Sequence, residues 1–68
     1  MEPNCQILCI NRLFRPSHDF TEGKTYSAHV DELTKVEAIN NYGEQHGLGH
    51  LRGDDFFGKH FVIVSKDF

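Results

Sequence analysis

At 68 residues the chain is long enough for one small domain (1–68) with a single core, and such a domain buries only about 60% of the surface its unfolded form exposes. Its seven basic and ten acidic residues give a formal charge of −3 and are interspersed along the chain, which argues against the basic stripe of a polyanion-binding surface. No apolar run approaches the roughly 20 residues of a membrane span and the first residues lack a signal-peptide pattern, so a soluble, cytoplasmic protein is expected.

The first predicted element is a strand over Gln6-Ile7-Leu8-Cys9-Ile10, apolar on both faces and bounded by Pro3-Asn4 and Asn11-Arg12. Cys5 and Cys9 lie on this extended run, about 13 Å apart at about 3.3 Å per residue. That is beyond disulfide reach, so two free thiols are expected. The Pro-centred stretch from Leu13 to Asp19 reads as a long loop, with Phe20 anchoring its return. Gly23 then supplies a tight turn, and Tyr26-Ser27-Ala28-His29-Val30 alternates with period two, predicting a half-buried second strand from Lys24 to Val30.

Asp31 to Thr34 is turn-like, and Lys35 to Asn40 resumes as a strand ending at Asn41-Tyr42-Gly43. Residues 30–39 can also be drawn at helical spacing, which would make the class α+β. Gly43 to Leu51 carries too many glycines for a stable helix and reads as a loop or irregular strand, extended near Leu48 to Leu51. Asp54-Asp55-Phe56-Phe57-Gly58 has caps, aromatics and a terminating glycine, which suits one short helical turn near 54–57. His60 to Val64 is the final strand. The expected core is Ile7, Cys9, Phe20, Tyr26, Ala28, Val30, Val36, Ala38, Phe61 and Ile63.

Taken together, Cys9-Ile10-Asn11, Phe20 with Gly23-Lys24-Thr25-Tyr26, Ile39-Asn40-Asn41-Tyr42-Gly43, and Phe57 with Phe61-Val62-Ile63-Val64 resemble small SH3-like β-barrel proteins of bacteriophages and prophages. The matching pieces cover most of the chain, but each is a turn or core signature; the long Leu13-to-Asp19 loop and the Gly/His-rich stretch from Gly43 to Gly53 depart from the pattern. The expected fold is therefore an all-β, small SH3-like antiparallel barrel of four or five strands. The resemblance implies a phage-encoded accessory protein with no catalytic residue, acting by binding and modulating a host protein.

The chemical candidates are few. His46-x-x-x-His50 and Cys5-x-x-x-Cys9 have zinc-compatible ligand types, but glycines interrupt the histidine pair and the cysteines share an extended strand. Solvated loop histidines and core cysteines are the expectation, with no metal and no cofactor. His18-Asp19 beside Arg15 could be an acid/base pair and Cys9 a nucleophile, yet either role needs a cleft and an orienting group. Asp54-Asp55 reads as a helix cap, since no EF-hand-like spacing surrounds it, and the glycines around Leu48 match no phosphate-binding fingerprint. The candidate partner-binding residues are Arg12, Arg15, His18, Tyr42, His46, His50, Arg52 and Phe56, mostly on the two long loops. Nucleic-acid binding through Arg12, Arg15, Lys24 and Lys35, with Tyr42 as a stacking platform, is the alternative. Self-association through an edge strand is a third reading.

Overall fold

The computed structural model describes residues 2–15, 18–51 and 55–67, with side chains at 13–15, 18 and 55 left aside. Its elements are β1 (Cys5–Cys9), β2 (Leu13–Arg15), β3 (His18–Phe20), β4 (Thr25–Val30), β5 (Lys35–Ile39), β6 (Gln45–His50), α1 (Asp55–His60) and β7 (Phe61–Lys66). The fold is thus small and strand-dominated, with one short helix. Five strands form an antiparallel open sheet in the order β6-β5-β4-β1-β7, and β2 pairs with β3 in a second, two-stranded sheet.

Period-two alternation builds the core. Cys5, Ile7 and Cys9 of β1, Tyr26, Ala28 and Val30 of β4, Val36 and Ala38 of β5, Leu48 of β6 and Phe61 of β7 turn to one face and are buried, together with Phe20 and Phe57. Phe20 is the hub: its ring meets those of Tyr26 at 4.8 Å and Phe61 at 5.2 Å, both edge-on, the geometry favoured by the aromatic quadrupole. Ile63, expected in the core, is only partly buried and packs against it. It sits on the outermost strand, where the core has no neighbour on one side.

Residues 30–39 form a strand, a turn and a strand. Asp31 decides this: its Oδ1 accepts from the backbone N–H of Leu33 and of Lys35, both at 2.9 Å, and its carbonyl accepts from Thr34 N–H at 3.0 Å. The chain reverses there, with Thr34 at φ 63°, a region that L-residues with branched side chains rarely enter.

The stretch from Leu13 to Asp19, expected as a long loop, carries β2 and β3 instead, which pair antiparallel with Leu13 opposite Phe20 and Arg15 opposite His18; Pro16 and Ser17, on which the loop reading centres, lie outside the described residues. Gly43 to Leu51 takes the irregular-strand alternative: it contains β6, which pairs with β5 through a register shift and carries Gly49 at φ 86°. Low intrinsic strand preference at Gly47 and Gly49 is overridden by a ladder partner, which supplies the backbone bonds a glycine-rich segment would otherwise leave to water. The helix begins at Asp55 and runs to His60, longer than the turn expected near 54–57.

Candidate functional site

The register of the sheet sorts the candidate residues between its two ends. Arg12 is exposed just beyond β1, where Asn11 N–H donates to His60 O, so it lies at the end of the sheet where β7 starts. Tyr42 is 64% exposed on the β5–β6 turn at that same end, since β4 starts and β5 finishes there. Asn40 holds this turn: it is buried, and its Oδ1 accepts from Tyr42 N–H and Glu44 N–H, each at 2.9 Å. Lys24 joins them, its Nζ donating to Asn41 Oδ1 at 3.1 Å and lying 5.4 Å from the centre of the Tyr26 ring.

Lys35 and His50 occupy the opposite end, paired with each other across β5 and β6. The four cations considered for a nucleic-acid surface therefore do not all share one face, since Arg12 and Lys24 are separated from Lys35 by the length of β4 and β5. Arg15 and His18 are backbone partners in the β2–β3 ladder. Arg52 lies outside the described residues.

His46 and His50 are half-buried residues of β6, a correction to the expectation of solvated loop histidines. His46 pairs with Ala38, and His50 sits near the β4–β5 turn with its Nδ1 3.3 Å from Leu33 O. Four residues apart on one strand, they are separated by about 13 Å, too far to share a metal ion. Among the described residues no group of three or more His, Cys, Asp or Glu converges as a metal site would require.

The thiols are free and buried. Cys9 donates to Asn11 O and Phe20 O, while Cys5 donates to Ala28 O at 3.4 Å. Burial pushes the Cys5 thiol above its ordinary pKa, because the thiolate loses its hydration there. Both sulfurs act as small core groups with backbone acceptors, an arrangement that disfavours nucleophilic chemistry. Phe56 is half-buried, packs against the core, and has its ring 5.2 Å from that of His60.

What alternation hides from a motif search is the outer side of β7. Val62 and Val64 are 40% and 53% exposed, and Val62 pairs with Leu8 of β1 on the face away from the core. Val64, which the register shift leaves without a cross-strand partner between Ile63 and Ser65, lines a shallow groove with Leu51, Ile63, Ser65 and Lys66. β7 is a sheet edge, and no strand among the described residues pairs with its outer side. The signal was present in Phe61-Val62-Ile63-Val64: once Phe61 and Ile63 face the core, Val62 must face away from it.

No family model, curated protein or solved structure matches this chain.

Proposed function

We propose that this chain is a non-enzymatic interaction protein that binds and modulates a host protein in the cytoplasm of a bacterium, and that it is phage-encoded, as its turn and strand signatures imply. The observation that carries the reading is the β7 edge, whose outer side no strand among the described residues pairs with, with Val62 exposed on the face away from the core and Val64 exposed beside a groove that it lines with Leu51 and Ile63. Such an edge offers main-chain donors and acceptors to an incoming extended segment, and alternate side chains of that segment would meet the valines and the groove. Exposed apolar side chains at the centre of a contact supply most of its affinity.

The test is capture from a bacterial host lysate by the wild type, by a Val62→Lys/Val64→Lys variant, and by an Arg15→Ala/His18→Ala variant. The edge reading expects the valine variant to lose the captured protein while its melting temperature stays within a few degrees of wild type. It expects the hairpin variant to retain the protein. Capture lost only with the hairpin variant would move the contact surface to β2–β3.

A further inference from the structure

We draw no further inference here: the strongest candidate, the surface patch along the outer edge of β7 with Val62 and Val64 exposed, belongs to the site already described, and nothing in the structure shows what covers it.

Discussion

Replacing Thr34 by Gly should stabilise this protein. Thr34 sits at φ 63°, where the Cβ of an L-residue crowds the following carbonyl at a cost of about 1–2 kcal/mol. Both of its backbone groups are engaged, N–H to Asp31 O at 3.0 Å and O from Leu51 N–H at 2.9 Å, and these bonds survive a side-chain change. Glycine removes the strain and gives back about 0.5–1 kcal/mol through the extra freedom of the unfolded chain. The balance is a gain of about 0.5–1 kcal/mol, or a rise of about 2–8 °C for a domain of this size.

Thr34→Asn tests the same reasoning with a Cβ retained, because asparagine tolerates the left-handed region better than a β-branched residue, and should give a smaller rise. Gly23 is the mirror case. It lies at φ 85° with nothing within 4 Å of a Cβ placed there, so Gly23→Ala has no clash to relieve and should cost about 1 kcal/mol by conformation alone. Thermal and urea melts of the three variants decide the matter. A Thr34→Gly protein that melts below wild type would refute the argument, showing that the half-buried Thr34 side chain contributes more than its backbone costs.

Tyr26→Phe should destabilise by about 1–2 kcal/mol in urea unfolding, because the buried Tyr26 hydroxyl accepts from Thr21 N–H at 2.6 Å and donates to Asn41 Oδ1 at 2.8 Å; an unchanged midpoint would show that water replaces both bonds. The raised Cys5 pKa sets a pH dependence in the alkaline range. The unfolded thiol ionises first, so the stability tied to Cys5 is whole below its unfolded pKa of about 8.5 and is lost as pH climbs through the folded value. A Cys5→Ala chain should show a flatter melting profile above about pH 8.5, and an identical slope in both proteins would contradict the assignment.

How much of the fold was legible follows from the range of the forces involved. Tyr26-Ser27-Ala28-His29-Val30 declared its own inward face, since strand alternation is a local property, and the core that Phe20, Tyr26 and Phe61 build could be named from their spacing alone. The choice between strand and helix over 30–39 was not local, because it turned on Asp31 capping a reversal that only the finished hairpin holds in place. The Gly/His-rich segment stayed open between loop and irregular strand for a related reason. Gly47 and Gly49 argue against regular structure in isolation, and β6 exists because β5 offers it a ladder.

The candidate site divides along the same line. From residues alone, the chain determined a small strand-rich domain, free thiols on one strand and the inward set of β1, β4 and β5. Tertiary structure decided which strands became edges, because β1 pairs with β7 across more than fifty residues and no other strand among the described residues pairs with β7. Exposure of Val62 and Val64 is a consequence of that placement: on a central strand covered on both faces the same residues would be core, and on an edge they form a surface. Periodicity assigns a side chain to a face, whereas only the pairing of distant strands determines what, if anything, covers it.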